Sequence, residues 1–292
     1  MKYVELHCKS NFSFLEGASH PDELVEQAAQ LGYSGIALTD RESVAGVVRG
    51  YTPANELGLK YIVGAEIHPT DAPPMVLWPS NRAAYGQLCR LLSRGRMRVE
   101  KGQCELHWQD IAEHSEGMLA GLIPGRSDRP APNHLHPARF KRFLRTQFRD
   151  TFTDRGYLLC ELHRGVDDGQ KVERLRDLSL RHDVPLLAAG DVHYHTADRM
   201  LLHDCVTAIR HGTTIDYVHA HRFANSQRHL RSLNEIRELY QQVPEAIART
   251  MEVAQQCTVS LSELKYEDRE EIAPPGMTLI ERLKRLTWEG AK

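Results

Sequence analysis

Short apolar runs alternate with segments of helical periodicity over the first two-thirds of the chain, and this alternation constrains the fold most strongly. Seven runs have the length and composition of β-strands, and they are residues 3–8, 35–40, 60–66, 75–78, 117–123, 157–162 and 185–189. Helical segments separate most of them, including 21–31, 83–94 and 170–180. Repeated strand–helix alternation predicts an α/β fold with a parallel sheet, open or closed into a barrel.

The last third of the chain is helix-rich. Helical periodicity covers 198–211 and 233–256, the second broken by Pro244, and another amphipathic segment begins at Thr278 without a closing signal. A chain of 292 residues suits one large α/β domain followed by a short tail. We therefore expect an α/β barrel at 1–215, a helical extension packed on it at 216–265, and at 266–292 a linker and the start of a following region.

Composition excludes several classes of protein. No apolar run approaches the roughly 18 residues that a membrane helix needs. The chain starts directly in a strand-like segment instead of a signal peptide, so we expect a cytoplasmic protein that does not bind a membrane. The six cysteines are scattered without C-x-x-C spacing, which indicates reduced thiols and not a disulfide framework. A net charge of −2 gives no overall indication of nucleic-acid binding.

Acidic and histidine side chains occur at the ends of the predicted strands or just after them. These side chains are His7, Asp40, Glu66, Glu161, His163, Asp191 and His193. Because the carboxyl ends of parallel strands share one face of an α/β barrel, we expect them to converge on one cleft. Imidazole and carboxylate groups are the usual ligands of zinc and manganese, and clustered ions can split a phosphodiester.

Four short segments resemble the metal-binding motifs of the PHP (polymerase and histidinol phosphatase) family. They are His7-Cys8-Lys9-Ser10, Thr39-Asp40-Arg41, Gly64-Ala65-Glu66 and Gly190-Asp191-Val192-His193. The resemblance implies an α/β fold of the PHP type, a distorted (β/α)7 barrel with a C-terminal helical extension. It also implies residual metal-ligand positions at His7, Glu16, Glu66, Asp191 and His193. Asp40, Glu161 and His163 are then expected at the rim of the cleft.

Longer segments narrow the resemblance to error-prone (ImuC-type) bacterial DNA polymerases, which are related to the DNA polymerase III alpha subunit. These segments are 5–21, 85–91, 161–165 and 222–231. The resemblance implies the N-terminal module of a translesion polymerase, with the polymerase domains following in the same chain. It implies DNA, the sliding clamp and translesion proteins as partners, and magnesium at the polymerase site of the longer protein.

The chain departs from the PHP motifs at Lys9 and Arg41, where the family has histidine. An ammonium group has no acceptor, and a guanidinium group is not deprotonated in proteins, so neither can coordinate a cation. A buried carboxylate cluster needs a metal or basic partners to remain ionised. We therefore expect salt bridges from Lys9 and Arg41 to replace ions at these degenerate positions.

Three hypotheses remain for the module itself. In the first it is a structural scaffold that carries no cofactor at full occupancy, and we assign no catalytic residue. In the second a single zinc or manganese ion is held by ligands that remain, which are His7, Glu66, Asp191 and His193. In the third it is a metal-dependent PHP phosphoesterase or nuclease that hydrolyses phosphate esters.

Other features have simpler interpretations. Glu161 and His163 lie two residues apart on one strand, so they are either rim residues or a hydrogen-bonded pair. His203 is expected to be packed or on the surface, and the cysteines to be small buried apolar residues.

Two basic clusters, at 90–101 and 139–149, could contact phosphate or an acidic partner surface. Phenylalanines interleave with the second cluster at helical spacing, which predicts core packing beneath a basic face.

Overall fold

A computed structural model of the protein describes residues 1–124, 137–264, 273–274 and 276–291. The chain divides into two compact units, Met1–Val259 and Ser260–Lys292. The acidic segment 266–275 lies almost entirely outside the described residues. Within the described ranges, no helix is long and apolar enough to span a bilayer.

The described residues form eight strands and eleven α-helices. The strands are β1 (Val4–Glu5), β2 (Gly35–Leu38), β3 (Lys60–Val63), β4 (Ala65–Ile67), β5 (Met75–Pro79), β6 (Met118–Leu122), β7 (Gly156–Glu161) and β8 (Leu186–Ala189). The helices of the first unit are α1 (Pro21–Gln30), α2 (Val47–Glu56), α3 (Arg82–Met97), α4 (Trp108–Glu113), α5 (Pro137–Phe143), α6 (Arg149–Phe152), α7 (Asp168–His182), α8 (Met200–Arg210), α9 (Leu233–Leu239) and α10 (Pro244–Gln256). A π-helical turn at Leu144–Phe148 joins α5 to α6, and the second unit contains α11 (Leu279–Gly290).

The strands form two sheets in a mixed α/β architecture. The three-stranded sheet has the order β1-β2-β3 and is parallel throughout, while the five-stranded sheet has the order β4-β5-β6-β7-β8. The predicted parallel sheet is mixed in the structure, because β5 is antiparallel to both β4 and β6. Only residues 68–74 join β4 to β5, and a parallel crossover needs about a dozen residues or more.

The predicted strand at 60–66 is interrupted at Gly64. A Cβ atom at this position would lie 2.8 Å from the Leu77 carbonyl oxygen and 2.9 Å from both Thr39 Cγ2 and Trp78 Cδ1. Only glycine therefore fits where the chain passes from one sheet to the other. The interruption aligns β4 with β5 and places Glu66 at the centre of a new strand.

The interior between the strands holds a continuous apolar core that includes Leu6, Trp78 and Leu159. The indole nitrogen of buried Trp78 donates a hydrogen bond to the Leu6 carbonyl oxygen at 2.9 Å, which satisfies its one polar group. Helix α10 adds Val253 and Ala254 to the same core.

Helix packing confirms several sequence predictions, and the structure adds helices α2 and α4. Phe140, Phe143 and Phe148 are buried while the basic residues between them are exposed, as the spacing predicts. His203 is buried and its ring stacks on Phe223 at 4.5 Å. Helix α2 was not predicted, because Gly50 and Pro53 interrupt its apolar pattern.

Candidate functional site

His7 lies just beyond β1, and both of its ring nitrogens face carboxylates. The Nδ1 atom is 2.7 Å from Glu161 Oε1 and the Nε2 atom is 2.6 Å from Glu66 Oε2. Burial and the charge of Lys9 lower the pKa of His7, but hydrogen bonds with Glu161 and Glu66 outweigh them and raise it overall. Because a neutral imidazole has only one donor, His7 can donate to both carboxylates only as an imidazolium.

Lys9 lies at the centre of the cluster. Its Nζ atom is 2.5 Å from Glu66 Oε2 and 2.8 Å from Asp191 Oδ1, and the side chain is only 1% exposed. Burial alone would raise the pKa of Glu66, but the charges of Lys9 and His68 outweigh it and hold that pKa well below its ordinary value. Glu66 is thus an ionised buried carboxylate whose counter-charge comes from the polypeptide.

Backbone hydrogen bonds fix the positions of these side chains. The Lys9 amide donates to the Val192 carbonyl oxygen at 2.8 Å, and the Val192 amide donates to the His7 carbonyl oxygen at 2.9 Å. Residues 7–9 therefore pair with the segment that carries Asp191 and His193. Asp191 adopts a positive φ of 44°, a conformation that aspartate tolerates better than most residues.

Asp191 has a second cationic partner that sequence reasoning missed. Its Oδ2 atom accepts a hydrogen bond from Arg228 Nη1, and the Arg228 guanidinium lies 4.1 Å above the ring of Phe223. Arg228 Nη1 is also 3.3 Å from His163 Nε2. Arg228 belongs to a segment similar to error-prone polymerases, but nothing in its spacing indicates that it enters the cleft.

Arg41 and Glu16 form the more open side of the cluster. Arg41 Nη1 donates to Glu16 Oε1 at 2.5 Å, and Arg210 Nη1 lies 3.3 Å from the same oxygen. The Arg41 side chain is 42% exposed, in contrast to Lys9. Burial raises the pKa of Glu16, but the charges of Arg41 and Lys9 outweigh it and lower the pKa to about 2.

His193 connects the two parts of the cluster. Its Nε2 atom is 3.2 Å from Asp191 Oδ1 and 3.5 Å from Lys9 Nζ. On the other side of the ring, Nδ1 is 3.1 Å from the Glu16 carbonyl oxygen, so this nitrogen is a donor. His193 thus lies between Glu16 and the Lys9–Asp191 pair.

Asp40 is buried and bound by serines. Its oxygens accept hydrogen bonds from the Ser10 amide at 2.7 Å, the Ser10 hydroxyl at 2.8 Å and the Ser13 hydroxyl at 2.6 Å. Burial raises the pKa of Asp40 despite these bonds. In this arrangement Asp40 holds the loop that carries Lys9 and Glu16 in place.

Glu161 and His163 point to different partners. Glu161 bonds His7 inside the cluster, whereas His163 Nε2 is 2.9 Å from the Gly190 carbonyl oxygen. Asn225 donates to the His163 carbonyl oxygen at 2.8 Å, which links the end of β7 to the segment around Arg228. A cavity of about 340 Å³ lies beside them, with Glu161, His163 and Arg228 in its wall.

The cluster contains one group with the spacing of metal ligands. One ligand atom from each of His7, Glu66 and Asp191 lies within 4.8 Å of the others. Zinc binds carboxylate oxygen at about 2.0–2.2 Å, and Lys9 Nζ lies 2.5 and 2.8 Å from two of these atoms. An ion bound to both carboxylates would overlap the ammonium group, so the residues as arranged do not fit a metal and Lys9 together.

Comparison with known proteins agrees with the sequence motifs around this cluster. The sequence model of the PHP domain family matches residues 5–159, which is more than half of the chain. The chain belongs to the PHP domain family. The matched range includes His7, Lys9, Arg41 and Glu66.

Relatives of this PHP domain include polymerases. The error-prone DNA polymerase of Rhodopirellula baltica is 65% identical over 293 residues, covering all of this chain and 26% of the relative. That of Pseudomonas paraeruginosa is 40% identical over 293 residues, covering 99% of this chain and 27% of the relative. The PHP domain chain thus spans about a quarter of the length of these curated relatives.

Among solved structures, an amidohydrolase from Chromobacterium violaceum with bound sulfate and no metal matches part of this chain. It is 17% identical, has a TM-score of 0.48, and the match covers 66% of this chain and 88% of the other.

Proposed function

We propose that this chain is the N-terminal PHP module of an error-prone translesion DNA polymerase, and that the module is a structural scaffold with a degenerate metal site. The observation that carries the second part is the position of the Lys9 ammonium between Glu66 and Asp191. A buried cation that is covalently part of the fold supplies charge without supplying Lewis acidity. The polymerase relatives, which match nearly all of this chain, support the first part.

The domain organisation we propose is a distorted (β/α)7 barrel at 1–215, a helical extension at 216–265, and at 266–292 a linker and the start of the following polymerase region. Two isolated parallel bridges support the barrel. Cys8 pairs with Val192 beyond the ends of β1 and β8, and Arg41 pairs with Glu66 beyond β2. If β3 and β4 are one strand interrupted at Gly64, these bridges join the two sheets into a ring of seven strands.

DNA synthesis in this proposal belongs to polymerase domains of the same longer chain. Nucleotidyl transfer uses paired carboxylates and two metal ions, so magnesium would act there and not in the Lys9 cluster. DNA, the sliding clamp and translesion proteins are the proposed partners of the longer protein. Such a protein works where the bacterial chromosome lies, in the cytoplasm.

A metal-dependent phosphoesterase is the second candidate function. The triad His7, Glu66 and Asp191 favours it, together with the contact between His7 Nδ1 and Glu161, because metal-bound histidines commonly donate their other nitrogen to a carboxylate. This function requires the Lys9 ammonium to move away from Glu66 and Asp191. The ammonium would then be a buried charge without its partners.

The substitutions Lys9→His and Arg41→His, made together, should create metal uptake. They remove the cations that compete with an ion and add two imidazole ligands. After incubation with zinc or manganese and removal of free ion, elemental analysis should find well under one ion per wild-type chain and about one per double variant. The control is Lys101→His with Arg142→His, two exposed positions outside the cluster, and it should match the wild type.

Two results would contradict the proposal. A wild-type chain that carries one or more ions at full occupancy and hydrolyses a simple phosphodiester is a phosphoesterase and not a scaffold. A double variant whose metal content stays at the level of the control shows that Lys9 and Arg41 do not stand at ligand positions.

A further inference from the structure

Residues 137–152 carry an unusual concentration of positive charge for this chain. The segment has five basic residues and one acidic residue, a net charge of +4, whereas the whole chain has a net charge of −2. The basic residues are Arg139, Lys141, Arg142, Arg145 and Arg149, and all of them are exposed. We call the surface formed by these five side chains the basic face.

The basic face is held rigidly from below. Phe143, Leu144, Phe148 and Phe152 are buried on the opposite side of the helical segment. The ring of Phe143 packs edge-on against Trp108 with centroids 4.7 Å apart, and Phe148 packs against Phe152 at 5.3 Å. These buried contacts anchor the helical segment beneath the basic side chains.

The charges on the basic face are mostly not neutralised. Arg149 pairs with exposed Asp183 at 3.4 Å, a surface ion pair of small energy. Lys141, Arg142 and Arg145 have no ion pair within residues 1–124, 137–264, 273–274 and 276–291. Exposed cations that have no carboxylate partner are available to an external anion.

The C-terminal end of α7 extends the same surface. Burial, followed by the charges of Arg145, Lys141 and Arg181, lowers the pKa of His182, and the charge of Asp177 opposes them. On its other side the basic face borders a groove of about 500 Å³, whose wall includes Arg139, Arg142 and Thr146. Basic groups thus extend from the groove, whose wall also holds Asp71, to the end of α7, where Asp177 pairs with Arg181.

We propose that the basic face binds the phosphate backbone of duplex DNA without reading its sequence, an inference that rests on the proposed role in a DNA polymerase. A run of exposed cations on a rigid helix complements the regular negative charge of the duplex, about one phosphate per 1.7 Å of axis. Lysine and arginine side chains that contact only phosphates orient a protein on the duplex, but they do not distinguish one DNA sequence from another. The module would then hold DNA near the polymerase domains, and the Lys9 cluster would take no part in the contact.

The test is a titration of a fluorescein-labelled DNA duplex of about 20 base pairs with the 292-residue chain, followed by fluorescence anisotropy. The variant Lys141→Glu with Arg145→Glu should weaken binding about tenfold or more at about 50 mM salt. It should also reduce the slope of log K against log salt by about 1.8, since each lost phosphate contact contributes about 0.9. The matched control is Lys2→Glu with Arg237→Glu, which changes the net charge equally at a different surface cavity.

The control should bind within about twofold of the wild type, because long-range repulsion alone is screened by salt. Equal weakening by both double variants would overturn the proposal, as would a wild-type chain that does not bind the duplex at about 50 mM salt. Poly-glutamate that competes as well as unlabelled duplex would also overturn it, in favour of an acidic protein partner. None of these readouts depends on metal content, so the proposed scaffold role and the DNA contact can fail separately.

Discussion

Replacing Lys9 by methionine should destabilise the fold by about 3–5 kcal/mol, the usual cost of removing one partner from a buried ion pair. Methionine has a similar length and would fill the space of the lysine stem. It would leave Glu66 and Asp191 without the ammonium that lies 2.5 and 2.8 Å from their oxygens. Asp191 keeps Arg228 as a partner, whereas Glu66 keeps the two imidazoles of His7 and His68.

Urea unfolding in the presence of a chelator measures this loss directly, since no added ion can then replace the lysine. Arg41→Met is the matched control, because Arg41 also pairs with a carboxylate but is 42% exposed, and Glu16 retains Arg210. It should cost about 1 kcal/mol or less. Adding Glu66→Gln to Lys9→Met should cost less than the sum of the two single changes, since the stranded charge is then removed. A loss of under about 1 kcal/mol for Lys9→Met would show that the ammonium is not the counter-charge of the cluster.

Acid should lower the free energy of unfolding between about pH 4.5 and pH 2, and part of this loss should come from protonation of Glu16. The pKa of Glu16 falls from an ordinary 4.5 to about 2 in the folded state. The unfolded chain therefore binds the proton more readily, and the stabilisation is present above pH 4.5 and lost as the pH falls toward 2. The full difference corresponds to about 3 kcal/mol. Glu66, whose pKa is also lowered, adds to the loss, whereas Asp40 opposes it because its pKa is raised.

Unfolding free energies of the wild type and Glu16→Gln at about pH 5.5 and about pH 3 separate the contribution of Glu16 from that of other carboxylates. The variant should be less stable at the higher pH and should lose less stability on acidification. Glu26→Gln, at an exposed position on α1, is the control and should follow the wild-type curve. If wild type and Glu16→Gln lose stability in parallel, the Arg41–Glu16 pair does not hold the carboxylate ionised.

The strands and the convergence of the cluster could be predicted from sequence because both depend on local pattern. Apolar runs mark buried strands, and the residues just after parallel strands lie on one face of the sheet. That rule brings His7 and Asp191 together, and Glu66 joins them although it lies within β4, which pairs antiparallel with β5. The reversed direction of β5 and the interruption at Gly64 could not be predicted, because they depend on the contacts of Gly64 with Leu77 and Trp78 in the folded state.

Two arginines of the cluster were not predicted from the sequence, because each lies far along the chain from the carboxylate that it contacts. Arg228 reaches Asp191 across 37 positions, and Arg210 reaches Glu16 from the end of α8. Neither lies at a strand end, and a single arginine in a loop is by pattern a surface residue. His68 was also missed, although it lies two positions after Glu66 and contacts the same carboxylate.

The Lys9 ammonium also affects how the stability of the fold depends on the concentration of free metal in the cell. A bound ion stabilises a fold by mass action, so the folded fraction would follow the free metal concentration of the cell. The Lys9 ammonium belongs to the same chain as the carboxylates. The hydrogen bond between the Lys9 amide and the Val192 carbonyl oxygen holds it beside them. Each newly synthesised chain therefore carries its own counter-ion, and chelation or metal starvation leaves the Lys9 salt bridges intact.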